Sequence, residues 1–156
     1  MLYFAYGSNL DREDWVKYCL VKKFPVPPLA NERTAYLSGW KLVFNFFSPK
    51  RMGGVANITP TGQEGDRVYG AVYEVLEPYM KIIDLKEGAP KAYERRKVTV
   101  VLPEGRRLTD VTTYTVIKTR EMNQHVPPTK DYLALITKNG KRLGFPPDYV
   151  KSLENS

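Results

Sequence analysis

The sequence predicts an α+β fold, a small and mostly antiparallel sheet with helices around it. Three observations point there. Short strand-like runs follow one another with turn chemistry between them, at Leu2–Tyr6, Tyr36–Leu37, Lys41–Phe46, Val55–Ile58, Val68–Val75, Tyr93–Leu102 and Val111–Ile117. Helical patterns are few and do not alternate strand by strand, as a doubly wound fold requires. No G-x-G-x-x-G or Walker-type loop follows any strand. The 156 residues suffice for one domain with one core, expected to span 1–156.

Taken in order, Leu2–Tyr6 is aromatic-rich and reads as a short buried strand. Gly7-Ser8-Asn9 is turn chemistry, and Asp11 offers an N-cap for a helix through Trp15, Tyr18 and Cys19. Prolines at 25, 27 and 28 make Lys23–Asn31 a loop or extended connector. Strand periodicity begins at Ala35 and resumes at Lys41, with turns expected over Ser48–Gly54 and Thr59–Asp66. In the strand Val68–Val75, Gly70 marks a bulge or a close backbone approach. Pro78 suits the first turn of a helix carrying Tyr79, Ile82, Ile83 and Leu85, and Gly88 ends it. That places Glu87 at the helix C-terminal edge. Tyr93–Leu102 and Val111–Ile117 read as a hairpin around Pro103-Glu104-Gly105-Arg106. Thr129 caps a helix holding Tyr132, Leu133, Leu135 and Ile136, and a last short helix carries Tyr149, Val150 and Leu153.

Several chemistries are excluded by residue count. With one histidine, His125, no multi-histidine metal site forms, so no metal is expected. Cys19 is the only cysteine, which rules out an intramolecular disulfide and fits a reducing cytoplasm. It falls on the apolar side of its helix, as a small core hydrophobe does. Ser8 lacks a G-x-S-x-G context. No run approaches the roughly 20 apolar residues of a membrane span, and the apolar start lacks the positive n-region of a signal peptide. Asn57-Ile58-Thr59 fits a glycosylation acceptor by chance on this reading. The net charge of +7 admits an anionic partner or simply a solvated basic surface. Its basic residues are scattered, with no RNP-type strand or zinc-finger spacing, so nucleic acid is not the expected partner.

Two segments carry chemistry. In Tyr3-Phe4-Ala5-Tyr6-Gly7-Ser8-Asn9-Leu10 a strand stops at a Gly-Ser-Asn turn, which presents backbone N–H groups and side-chain donors to an anion. Alone, it reads more readily as a plain strand-to-helix turn. In Ile83-Asp84-Leu85-Lys86-Glu87-Gly88, Glu87 stands beside an apolar run at a helix end, where burial and the helix dipole both raise a carboxyl pKa. Alone, it reads more readily as a solvated glutamate before a C-cap glycine.

These two segments, together with Gly53-Gly54-Val55-Ala56, Val68-Tyr69-Gly70-Ala71-Val72-Tyr73-Glu74, Tyr93 and Pro127-Pro128-Thr129-Lys130-Asp131-Tyr132-Leu133, resemble the γ-glutamyl cyclotransferases and their structural relatives, known as the AIG2/γ-glutamyl cyclotransferase fold. The resemblance runs over nearly the whole chain. It implies a barrel-like sheet and a cofactor-independent enzyme acting on a small γ-glutamyl molecule. The Tyr6, Gly7, Ser8, Asn9 and Leu10 loop would hold the substrate, Glu87 would be the acid/base, and Tyr93 and Tyr114 would line the pocket. The reaction implied is attack of the substrate's α-amine on its γ-amide carbon, releasing 5-oxoproline and a free amine. The alternative within the same fold is a carboxylate-binding module without turnover. The identity of the departing amine is left open between an amino acid, a peptide such as glutathione, a polyamine and a biosynthetic intermediate.

Overall fold

The computed structural model describes residues 1–156. Strands β1 (Leu2–Ala5), β2 (Ala30–Ser38), β5 (Arg67–Glu74), β6 (Tyr93–Val101) and β7 (Arg107–Val116) close into a barrel in the order β1-β5-β2-β6-β7. Every pairing is antiparallel except the closing one, where β1 meets β7 in parallel at Tyr3 and Thr112. Strands β3 (Trp40–Ser48) and β4 (Gly53–Pro60) form a separate hairpin. The side-chain amide oxygen of Asn57 ties that hairpin to the barrel by accepting from the Val116 N–H at 3.0 Å. Asn57 has no solvent exposure at all, so it offers no accessible glycosylation site.

Four helices complete the chain: α1 (Arg12–Val21), α2 (Met80–Glu87), α3 (Lys130–Leu143) and α4 (Pro147–Glu154). The expected caps are in place, Asp11 accepting from the Asp14 N–H and Thr129 from the Tyr132 N–H. One continuous core links the barrel interior (Phe4, Val68, Val72, Val100, Val111) to the helices through Trp15, Leu10 and Ile136. No helix is long and apolar enough to cross a membrane.

Strands β2, β4 and β7 start earlier than their sequence pattern suggests, β7 at Arg107 instead of Val111. β2 begins at Ala30, inside the segment read as a connector. A register shift between Ala30 and Arg33, with Asn31 at φ 52°, breaks the alternation and hides the strand behind Asn31-Glu32-Arg33. β4 begins at Gly53, where a turn was expected. Its glycines serve a close crossing: the Gly54 N–H donates to the Pro127 carbonyl at 2.9 Å, and a Cβ there would run into the Val126 carbonyl oxygen. Gly70 likewise meets the backbone of Ala5, which makes the close approach, not a bulge, its reason. Because the Val126–Pro127 backbone has no slack on that side, Gly54→Ala should destabilise the fold by about 3 kcal/mol. Urea unfolding measures this, and a variant as stable as the parent would show that the crossing yields.

In α2, Met80, Ile82 and Ile83 are buried, while Leu85 is 56% exposed. The inward row is Met80, Ile83 and Glu87, at i, i+3 and i+7. A carboxylate therefore occupies the last position of a stripe whose other members are fully buried. Gly88, at φ 67°, ends the helix with its N–H on the Leu85 carbonyl, and the Ala89 N–H reaches the Asp84 carbonyl.

Candidate active site

β1 ends inside the barrel wall, and the chain turns at Gly7 into a single 3₁₀ turn over Ser8–Leu10. The Leu10 N–H closes that turn on the Gly7 carbonyl at 3.1 Å, and the Asp11 N–H closes on Ser8 at 3.0 Å. The Gly7 N–H has no protein acceptor. Opposite this turn stands the end of α2. The Asn9 side-chain amide donates to Glu87 Oε1 at 3.1 Å and to the Tyr3 hydroxyl at 2.8 Å. The two chemistry-bearing segments of the sequence thus meet directly.

They meet around a small, partly enclosed cavity of about 30 Å³. Gly7, Ser8, Asn9 and Glu87 line it together with a ring of tyrosines, Tyr3, Tyr6, Tyr93, Tyr114 and Tyr132. Outside it lies an open cleft of about 320 Å³, and Ser8, Glu87, Tyr93 and Tyr132 line both spaces. Glu87 therefore stands where the two spaces adjoin.

The phenols are fixed by their hydroxyl bonds. Tyr6 donates to the Tyr114 carbonyl at 2.6 Å, Tyr93 to the Ala56 carbonyl at 2.7 Å, and Tyr114 to Asp84 Oδ1 at 2.5 Å. The Tyr132 hydroxyl instead accepts from the Ala56 N–H at 3.0 Å, which leaves its own proton free to donate. Burial pushes the Tyr3, Tyr6 and Tyr93 hydroxyls well above their ordinary value, with Glu87 adding to the effect, so the ring is neutral at physiological pH. Burial also raises the Glu87 pKa, against the pull of Lys86 and Arg51 and with the help of Asp14 and Asp84.

A charged network that the sequence did not disclose holds the turn in place. Lys86, its side chain only 6% exposed, donates to Asn9 Oδ1 at 2.5 Å, Ser8 Oγ at 3.1 Å and Asp14 Oδ2 at 2.9 Å. Because Lys86 occupies the amide oxygen of Asn9, the amide nitrogen must face Glu87 and Tyr3. Arg51, from the β3–β4 turn, makes a two-pronged pair with Asp14 at 2.9 Å on each side. Burial alone would raise the Asp14 pKa, but the two cations hold it down at about 2. Of the residues expected at the site, Leu10 alone lies outside the cavity. Its side chain is core, and its N–H is already bonded within the turn. Tyr3, Tyr132, Lys86, Asp14 and Arg51 are additions. Tyr132 read as one more apolar position of an amphipathic helix, and nothing in a lone lysine signals burial.

A larger depression of about 440 Å³ lies on the far side of the Ser8–Leu10 turn. Its inner polar groups pair with one another, Arg142 with Glu32 and the Asn139 amide donating to Asp11 at 2.8 Å, while Arg12 and Glu13 are exposed. It holds nothing comparable to the carboxylate and free N–H of the small cavity.

The AIG2-like family model matches residues 67–153, more than half of the chain. The chain belongs to the AIG2-like family. Two relatives named γ-glutamylcyclotransferase, from Bos taurus and Homo sapiens, are 30% and 29% identical to it, over 99% and 98% of this chain and 77% of each relative. A solved structure named γ-glutamyl cyclotransferase superposes on this AIG2-like chain with a TM-score of 0.79 at 29% identity, covering 98% of this chain and 85% of the other. The barrel, the β3–β4 hairpin and the helices described above are thus the α+β fold of these proteins.

Proposed function

We propose that this AIG2-like protein is a γ-glutamyl cyclotransferase, with Glu87 as its acid/base and the turn from Tyr6 to Asn9 as the seat of the glutamyl group. The contact between Asn9 and Glu87 carries the reading, because it brings the glycine turn and a half-buried carboxylate onto one cavity. The names of the full-length relatives support it independently.

The substrate brings its own nucleophile and electrophile. Its α-amine attacks the γ-amide carbon, a C–N bond closes the five-membered lactam, and the original γ-C–N bond breaks. Glu87 takes the proton that the amine loses and returns it to the departing nitrogen. The products are 5-oxoproline and a free amine, with no enzyme-bound intermediate. Holding the glutamyl chain in its folded shape supplies much of the rate, since effective molarities of oriented intramolecular reactions reach roughly 10⁵ M or more. A general base of raised pKa supplies about 10²–10⁴-fold more. The free Gly7 N–H suits the substrate carboxylate, and the Tyr132 hydroxyl, with its uncommitted proton, suits the carbonyl oxygen that gains charge during attack.

Incubating the protein with a panel of γ-glutamyl compounds and assaying 5-oxoproline tests the reading. Release from at least one compound is expected. Tight binding without release would favour the carboxylate-binding module instead.

Lys86 is expected to matter although it need not touch the substrate. Lys86→Met should lower kcat/KM by tenfold or more, on the order of one lost buried charge-assisted bond. Removing its positive charge also removes a pull that keeps the Glu87 pKa down, so the acidic limb of the pH–rate profile should move to higher pH. A profile identical to the parent's would deny Lys86 this role.

A further inference from the structure

The open cleft outside Glu87 has a one-sided charge. Four cationic side chains line it, Lys50, Arg51, Lys86 and Arg120, against the single carboxylate of Glu87. Arg51 and Lys86 are already paired with the one carboxylate of Asp14, at 2.9 Å each. Lys50 and Arg120 are not. Lys50 is exposed, and its ammonium has only the face of Tyr18 as partner, 4.9 Å from the ring centre. Arg120 is exposed as well, and its only hydrogen bond is from its backbone N–H to the Ile117 carbonyl. The two come from opposite sides, one from the β3–β4 turn and one from the segment after β7, and both face the same space. Partial burial pushes the Lys50 pKa down, as do Arg51, Lys86 and Lys22, while Asp14 opposes them. An anion in the cleft would relieve that crowding.

The glutamyl half of a substrate is placed at the small cavity on the reading above, so this cleft receives the departing half. In a γ-glutamyl amino acid, a carboxylate sits two bonds from the departing nitrogen. In a γ-glutamyl polyamine, the next charged group is a second ammonium, several bonds further along a methylene chain. The cleft favours the first and repels the second. Leu85, exposed on α2, and Phe46 and Val55 from the hairpin add apolar wall for a side chain.

Resting on the cyclotransferase reading, we propose that Lys50 and Arg120 are specificity-determining residues that select γ-glutamyl compounds whose departing amine bears a carboxylate. A neutral or cationic departing amine is the disfavoured case.

The test compares γ-glutamyl-alanine, γ-glutamyl-alaninamide and a γ-glutamyl diamine, with 5-oxoproline release as the readout. Parent, Lys50→Gln, Arg120→Gln and the double variant are run side by side. In the parent, kcat/KM should favour the alanine compound over its amide by about tenfold or more, the scale of a charge-assisted hydrogen bond near solvent, with the diamine lower still. Each single variant should shrink the ratio of acid to amide, and the double variant should bring it close to one. Equal turnover of acid and amide by the parent would overturn the proposal while leaving the cyclotransferase reading intact. So would a ratio that stays at the parent's value in the double variant, which would assign the cations to the glutamyl half or to no substrate. Failure of the parent to release 5-oxoproline from any of the three would overturn the underlying reading and this inference with it.

Discussion

Replacing Glu87 by glutamine should remove 5-oxoproline release, lowering kcat by about 10²–10⁴-fold, the usual worth of a positioned acid/base. Glutamine keeps the size of the side chain and an acceptor oxygen for the Asn9 amide, so the turn and the cavity should keep their shape. The stability consequence has a definite sign. Burial raises the folded-state pKa of Glu87, so the folded protein binds this proton more tightly than the unfolded chain does. The stability this provides is fully present below the unfolded-state pKa and is lost as pH rises through the folded one. Above that point Glu87→Gln should be at least as stable as the parent, because glutamine carries no charge to desolvate. Activity of the parent should fall on the acid side of a pKa above the ordinary glutamate value. Paired thermal melts and rate profiles separate these effects. A fully active variant would remove Glu87 from the reaction, and a grossly destabilised one would assign it a structural role.

Gly7→Val should be nearly as damaging, by a different route. A Cβ at residue 7 would sit 3.4 Å from the Tyr132 hydroxyl and 3.6 Å from the Ala56 Cβ, which is ordinary contact. The backbone therefore has room for the first carbon. The two methyls beyond it would enter a cavity of only about 30 Å³, between the turn and the tyrosine ring. The expected result is a folded protein with kcat/KM reduced about a hundredfold or more, since a displacement near 1 Å at a reacting centre costs on that order. Gly7→Ala, which adds only the tolerated carbon, should retain much more activity. Equal activity of the valine variant and the parent would show that the glutamyl group binds elsewhere.

Much of this could be read from the chain because local signals agreed with the fold. Asp11, Thr129 and Gly88 bounded their helices in the structure as their side chains or backbone freedom require. The hairpin of β6 and β7 followed from strict alternation around a turn. Strand β2 did not, because a bulge moves its polar residues out of phase, and no count of apolar positions corrects for that. The outward turn of Leu85 was not singled out in the sequence. It lies about 200° round the helix from Ile83, whereas Glu87 stands one turn beyond Ile83 and shares its inward row. Lys86 was beyond reach for a related reason. Its burial depends on three acceptors brought in from Ser8, Asn9 and Asp14, and only the folded chain assembles them.

The placement of the glutamyl group is the most direct point of attack. A crystal structure of Glu87→Gln with γ-glutamyl-alanine bound should show the substrate carboxylate at the Gly7 N–H. The α-amine should lie within about 3 Å of the residue 87 side chain, the reach a proton acceptor needs. Density for the ligand in the larger depression between Asp11 and Arg142, with the tyrosine-lined cavity unfilled, would contradict the account.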